Sequence, residues 1–503
     1  MKTENKESTV PAAGPLRIGW ASVSITPEQT ASLAGQFHMR VSEGILDPLT
    51  ATALALSSGG SGGAAPGVVL VSCDLVAIPD ALYATVRARV AAELPELPTG
   101  SVILNATHTH TAPEVRTTTD MKKAGGGAIS SIGIDLELPV MSPEAYVEFA
   151  AARIAQAVKA AWQARKPGSV GYGLGHAVVG RNRRSCYTGG ESRMYGNTTA
   201  DDFSHIEGYE DHSVNLLGTW DADGKLTGLV VNVPCPSQVS EHQFKSSADY
   251  WHDTRVELRR RLGDGLFVLP QCSAAGDQSP HIQWGKAAEE RMLALSGRTR
   301  RQEIAVRIAD AVSATLPFME KERRADPVLE HRGEVLELAR RRLSEADVAE
   351  ALAEAEPLRV AYERMRKELE ADPARRQVPR WYVEITAAYR RMAWYQGVAL
   401  RFEIEKQQPR LPVEAHVVRL GDIVFATNPF EYYLDFGTCI KARSPAVQTF
   451  LVQLSGPGTY VPTARAVAGK SYGAVPASTP VGPEGGREMA EWTVRAIKAL
   501  WPA

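Results

Sequence analysis

The segment Asn105-Ala106-Thr107-His108-Thr109-His110-Thr111-Ala112-Pro113 carries the strongest chemical signal in the chain. Residues two apart in an extended backbone point to the same side, so His108 and His110 are expected on one face where a strand ends. Imidazoles paired in this way bind a divalent metal, or one ring binds it while the other moves protons. Other polar groups also follow apolar runs. They are Asp74 after VVLVSC, Cys235 after LVVNVP, Asp277 and Ser279 after LFVLPQCSAA, Glu431 after IVFATNPF and Tyr460 after TFLVQL. In open α/β sheets, sites assemble in the crevice beyond the carboxyl ends of the strands. These groups are therefore candidates for one shared site.

The elements that would position them are readable from periodicity and turn residues. Strands are predicted over 67–75, 101–107, 265–270, 413–420, 423–427 and 448–454. Helices are predicted over 80–94, 143–164 and 251–262, the last stopped by Gly263. Asp221-Ala222-Asp223-Gly224 marks a hairpin between strands at 216–220 and 225–233. The predicted class is α/β: a mixed β-sheet with flanking helices, forming one catalytic unit over 15–503. Residues 320–410 are rich in Ala, Glu, Arg and Leu and show no strong strand, so a helical insertion is expected there. Ser344 with Asp347 resembles a capping box at its start. A packing arm, a homo-oligomer surface or a lid are the roles open to it. The glycines at 59–63 read as a loop tip, and no internal repeat is evident.

Composition narrows the function classes. In 503 residues, 56 Lys and Arg nearly balance 58 Asp and Glu, for a net charge of −2. That removes the electrostatic case for nucleic acid as main partner and favours a small-molecule substrate. No secretory leader and no apolar run of about 18 residues is visible, so no membrane span is expected. Five cysteines in so long a chain make no disulfide framework, and a cytoplasmic location fits. Ala468-Gly469-Lys470-Ser471 lacks the glycine a phosphate loop needs, because position 464 is Ala. The GYGLG at 171–175 lacks dinucleotide spacing, and no nucleophile elbow occurs.

Several segments together resemble the catalytic domain of the neutral/alkaline ceramidases, zinc-dependent amidohydrolases that cleave the N-acyl bond of ceramide. They are GWASVSITP at 19–27, GILDPL at 44–49, SCDL at 72–75 and ATHTHTAP at 106–113. Further on come AGDQSP at 275–280, Pro429-Phe430-Glu431, and YVPT at 460–463 with Tyr472 twelve residues after Tyr460. The resemblance implies one Zn²⁺ held by two histidines, a glutamate and a tyrosine. His108, Glu431 and Tyr460 match three of these. The fourth, fourteen residues before Asp249, is Cys235 and not histidine. Three readings stay open: Cys235 ligates as a thiolate, or Glu241, His242 or His252 replaces it, or the metal is lost.

The resemblance further implies His110 as general acid or base, Tyr460 and Tyr472 as oxyanion donors, and Ser279 as nucleophile or positioning group beside Asp277. Asp74 and Arg183 are expected to bind substrate. Secreted ceramidases carry a signal and a C-terminal immunoglobulin-like domain, and neither is expected here. From these departures, the Cys235 change and the lack of an apolar lipid-docking helix in the sequence, the expected activity is amide hydrolysis of a small polar substrate and not of membrane ceramide. An esterase, lactonase or sugar-directed hydrolase, or a non-catalytic relative without metal, are the alternatives.

Overall fold

A computed structural model describes residues 14–59, 67–123 and 136–501. Positions 60–63 of the glycine tract and the polar leader up to residue 13 lie outside the described residues. Eight strands form the main sheet: β1 Leu16–Ser24, β2 Thr50–Ser58, β3 Gly67–Cys73, β4 Val102–Ala106, β5 Lys166–His176, β6 Ser213–Asp221, β7 Leu226–Val233 and β8 Phe267–Cys272. Their order is β8-β7-β6-β5-β1-β2-β3-β4. Only β3–β4 and β7–β8 are parallel.

This order contains a duplication that the sequence does not show. In each half three antiparallel strands run outward, a crossover helix follows, and the fourth strand adds in parallel at the edge. The crossovers are α1, Asp80–Glu93, and α3, Tyr250–Leu262. Each half is then backed by a second helix, α2 Pro143–Gln163 in the first and α4 Arg300–Met319 in the second. Two chains of different residues thus solve the same topological problem, since a parallel pair needs a crossover helix.

A second sheet has the order β9-β10-β11-β12, formed by Leu329–Ala339, Arg410–Leu420, Ile423–Thr427 and Gln448–Val452. Phe425 and Phe450 from this sheet pack against Trp20, Leu54, Leu70 and Leu269 from the main sheet. Its other face carries α7, Leu434–Arg443, and α8, Pro483–Ala499. Four layers result, helices outside and two sheets within, each pair of layers burying a continuous apolar seam. Among the described residues no immunoglobulin-like unit is present, and no helix is long and apolar enough to cross a membrane.

The 320–410 insertion is not wholly helical, which corrects the sequence reading. Strand β9 lies inside it and pairs with β10 along all of its eleven residues. Its text, LEHRGEVLELA, buries Leu336 and Leu338 but leaves its charged side chains largely in water, so composition hides the strand. The helical part is the pair α5, Glu345–Ala371, and α6, Tyr382–Gln407. Ser344 and Asp347 do form a reciprocal capping box at its start.

Three parallel strand ends meet at one place. The Ala106 amide after β4 donates to the Leu454 carbonyl at 3.1 Å, and the Gln453 amide after β12 donates to the Cys272 carbonyl at 3.0 Å. The loops that leave β4, β8 and β12 therefore start side by side.

Candidate active site

His108 does not reach its place by strand alternation. Strand β4 ends at Ala106, and His108 adopts a left-handed φ of 63°. That conformation costs a residue with a side chain about 1 kcal/mol or more, so the surroundings must enforce it. The turn brings the two imidazoles edge to face at 4.8 Å, with their Nε2 atoms 3.3 Å apart. His108 Nδ1 lies 2.6 Å from the Val76 carbonyl, an acceptor only, so Nδ1 carries a hydrogen. Its Nε2 then faces Glu431 Oε2 at 3.3 Å and His110 Nε2.

Glu431 is set by a two-residue parallel ladder with Tyr460, the Glu431 amide donating to the Thr459 carbonyl at 2.9 Å. Burial alone would raise its carboxyl, but His108, Arg183 and the Tyr460 hydroxyl hold it at about 2. Glu431 is thus a carboxylate at neutral pH. Desolvation pushes the phenols of Tyr460 and Tyr472 up, leaving both as hydrogen-bond donors.

His110 is locked from both ends. Gln238 Nε2 lies 2.9 Å from its Nε2, and Glu241 Oε2 lies 3.3 Å from its Nδ1. Arg183 Nη1 and the Tyr195 hydroxyl donate to Gln238 Oε1 at 3.2 and 3.3 Å, which fixes the amide so that its nitrogen faces the imidazole. Burial pulls His110 down to about 4, against the pull of Glu241, so the ring is neutral at pH 7. Glu241 also accepts from His281 Nε2 at 2.8 Å and Gln36 Nε2 at 3.2 Å, and these contacts with His110 hold it ionised despite burial. Gly35, at φ 93°, lies against the His110 ring, where a Cβ would come within 2.5 Å. Only glycine fits that approach.

Arg183 lies at the centre of the cluster, 1% exposed. Its Nη1 donates to the Tyr195 hydroxyl at 2.6 Å, and its Nη2 donates to the Gly276 carbonyl at 2.8 Å and the Tyr460 hydroxyl at 3.2 Å. Glu431 Oε2 is 3.9 Å away. A cavity of about 660 Å³ opens onto His108, His110, Glu431, Tyr460 and Tyr472. Trp394 of α6 lines it too, 5.8 Å from the Tyr472 ring, so the insertion walls the site.

Other candidates are placed elsewhere. Asp74, read as a substrate contact, is fully buried and instead makes a two-point pair with Arg255 at 2.8 and 3.0 Å. Thr50 donates to it through amide and hydroxyl, and Thr107 through its hydroxyl, so it braces α3 against β3. Asp277 is not catalytic in its contacts: Asn182 Nδ2 donates to it at 2.9 Å and the Leu434 amide at 3.0 Å, fixing the strand that carries Arg183 to the start of α7. Ser279 has no exposed surface, and its Oγ lies 3.3 Å from the Tyr195 hydroxyl oxygen and accepts from the His281 amide at 3.1 Å. Those are the contacts of a positioning group. His242 is largely exposed, and His252, in the first turn of α3, does not line the cavity. Gln238, Tyr195, His281 and Trp394 are members of the site or its wall that the sequence reading misses. Only Gln238 carried a signal, three residues after Cys235 in the same segment beyond a strand.

Solved structures supply the context. The chain matches the crystal structure of neutral ceramidase from Pseudomonas aeruginosa with a TM-score of 0.65 at 18% identity, over 97% of this chain and 74% of that one. It matches a ceramidase complexed with C2 with a TM-score of 0.63 at 16% identity, over 97% and 76%. The fold is that of the neutral ceramidases. No protein-family model matches the chain, and no curated protein does.

The ceramidase resemblance implies zinc, and the donor set can be tested against it. His108, Glu431 and Tyr460 share the cavity wall. Cys235 does not join them. Its Sγ donates to the Pro236 carbonyl at 3.4 Å, and it packs with Val233, Tyr250 and Trp251 in an apolar cluster. Burial pushes its thiol well above the usual range. Glu241 is committed to His110 and His281. Among the described residues no three His, Cys, Asp or Glu side chains are grouped to hold a metal ion. The residues present do not fit the expected zinc tetrad.

Proposed function

We propose that the chain is a hydrolase of carboxylic amides whose proton transfers run through the His108–Glu431 pair. The observation that carries this is the facing of His108 Nε2 onto the Glu431 carboxylate, Oε2 at 3.3 Å, at the cavity wall. With Nδ1–H given to Val76 and the His110 Nε2 lone pair taken by Gln238, a proton on His108 Nε2 has Glu431 as its acceptor. The pair then holds one acid and one base side by side. Glu431 accepts the proton of an attacking water as its oxygen bonds to the amide carbon. The Tyr460 and Tyr472 hydroxyls donate to the oxyanion that forms. His108 gives its Nε2 proton to the leaving nitrogen as the C–N bond breaks, and the proton held by Glu431 returns to it. His110, neutral and clamped by Gln238, packs edge to face against the His108 ring and holds it toward Glu431, which makes it a positioning residue and not the general base.

The lining also revises the substrate. Val76, Ile78, Phe430, Trp394 and Ile404 line the cavity, so a partly apolar amide suits it better than a small polar one. Release of amine from a panel of N-acyl amino acids and neutral amides, with matching esters, tests the proposal. Turnover of amides that falls at least about a hundredfold in Glu431→Gln supports it. Ligand binding without turnover of any amide or ester would make the chain a binding protein and end the hydrolase reading.

A further inference from the structure

We propose that the same cavity ends in an anion-binding subsite built on Arg401 and Arg340, which selects amides carrying a carboxylate remote from the scissile bond. This names a substrate class and rests on the hydrolase reading. Arg401, on α6, is 6% exposed and lines the cavity. Its Nε donates to the Gly397 carbonyl at 3.3 Å, and its Nη2 donates to the carbonyls of Pro476 and Ala477 at 2.8 and 3.1 Å. Among the described residues Nη1 has no hydrogen-bond partner, and no carboxylate lies within ion-pair distance. The charged neighbours that it feels are Arg340 and Arg341.

A buried cation beside other cations is unfavourable until an anion joins it. Arg340 lines the cavity as well; its Nε donates to the Gln408 carbonyl at 2.9 Å, and Glu405 and Glu337 act on its charge only from beyond ion-pair distance. The other guanidiniums on the cavity are already matched: Arg87 with Glu414 at 2.8 Å and Arg116 with Glu114 at 3.6 Å. The unmatched positive charge is therefore confined to one end.

The path to that end is continuous. Tyr460 touches Tyr472 at 5.4 Å between rings, and Tyr472 touches Trp394 at 5.8 Å. Arg401 follows Trp394 by seven residues, two helical turns on the same side, or about 10 Å. A substrate that spans it has its amide at Tyr460, an apolar stretch along Tyr472 and Trp394, and its carboxylate at Arg401. A guanidinium takes such a carboxylate through two parallel hydrogen bonds.

The test is binding of 6-phenylhexanoate against its uncharged analogue 6-phenylhexan-1-ol by calorimetry, neither of which can be hydrolysed. The carboxylate should bind about tenfold more tightly at low salt. Arg401→Gln and Arg340→Gln should each erase most of that preference, while Arg401→Lys retains part of it. Arg401 also holds the 476–478 turn, so the Arg340 variant keeps the test valid if the first fails to fold. Equal binding of the two compounds by the wild type overturns the subsite. So does a preference that survives in Arg340→Gln, or one that disappears in Arg116→Gln instead. Because no turnover is read, a missing preference in an active amidase refutes the subsite alone. A preference in a chain without amidase activity refutes the hydrolase alone.

Discussion

Gln238 offers the sharpest test of the proton network. Its amide nitrogen donates to His110 Nε2 at 2.9 Å, a bond that exists only while that nitrogen is unprotonated. Gln238→Met keeps the length and removes the donor. A net hydrogen bond of this kind is worth about 0.5–1.5 kcal/mol, and one pH unit is about 1.4 kcal/mol. The His110 pKa should therefore rise from about 4 by roughly 0.4–1.1. Histidine Cε1–Hε1 resonances followed from pH 3 to 8 read this directly. The acid limb of any amidase profile should move up with it, because a protonated His110 sets a positive charge against the His108–Glu431 pair. Arg183 Nη1 keeps its bond to Tyr195 at 2.6 Å, so the loss of stability should stay near 1–3 kcal/mol. An unchanged His110 titration in a folded Gln238→Met protein would refute the clamp.

Three further outcomes are expected. Arg255→Met should destabilise the protein by about 3–5 kcal/mol in urea, because it leaves the buried Asp74 charge unpaired; Asp74→Asn added to it should recover part of that, and a cost under about 1 kcal/mol would show Asp74 to be free for substrate. Acid should weaken the fold in two stages. His110 titrates at about 4 folded against 6.5 unfolded, so below pH 6.5 the unfolded chain takes a proton that the folded chain refuses, at up to about 1.4 kcal/mol per pH unit. Glu431, held at about 2 against 4.5, adds its loss below pH 4.5. His38 and His331, also lowered to about 4, act in the same direction, so His110→Gln should flatten the slope without abolishing it; a urea midpoint flat from pH 7 to 4.5 would contradict the buried neutral rings. Finally, protein dialysed at pH 7 should carry well below one zinc per chain by elemental analysis. Stoichiometric zinc that is lost in Cys235→Ala would restore the thiolate ligand.

What the sequence made legible depended on local chemistry. Helix α2 and the hairpin around Asp221–Gly224 were readable because periodicity and turn residues act over a few positions. The pairing of His108 with His110 was readable as well, although its cause is a left-handed turn and not strand alternation. Strand β9 was hidden because its partners lie some eighty residues away in β10 and its exposed face is charged. Polar residues at strand ends were ambiguous in kind. Asp74 and Asp277 look like Glu431 on paper, and only the groups they meet, Arg255 or Asn182 against His108, separate brace from reagent. The duplicated halves share connections and not residues, so no repeat was visible.

Cys235, which stands where the ceramidase resemblance implies a histidine, adds no charge to the site. Buried at the reacting end of the cavity are two anions, Glu431 and Glu241, and the guanidinium of Arg183, with His108 facing Glu431. Tyr460, Tyr472 and His110 are neutral, and so is the Cys235 thiol. A dication there would meet a phenol that burial holds protonated, and would have to displace that proton to engage it. The nearest remaining donor, Glu241, would have to abandon His110 and His281 to complete the coordination. Gln238 closes that route, since its clamp on His110 and Arg183 keeps Glu241 on the far side of the ring. The thiol at 235 and the amide at 238 thus act together: one withdraws a ligand into the apolar core, and the other converts the space around His110 into a proton-holding network.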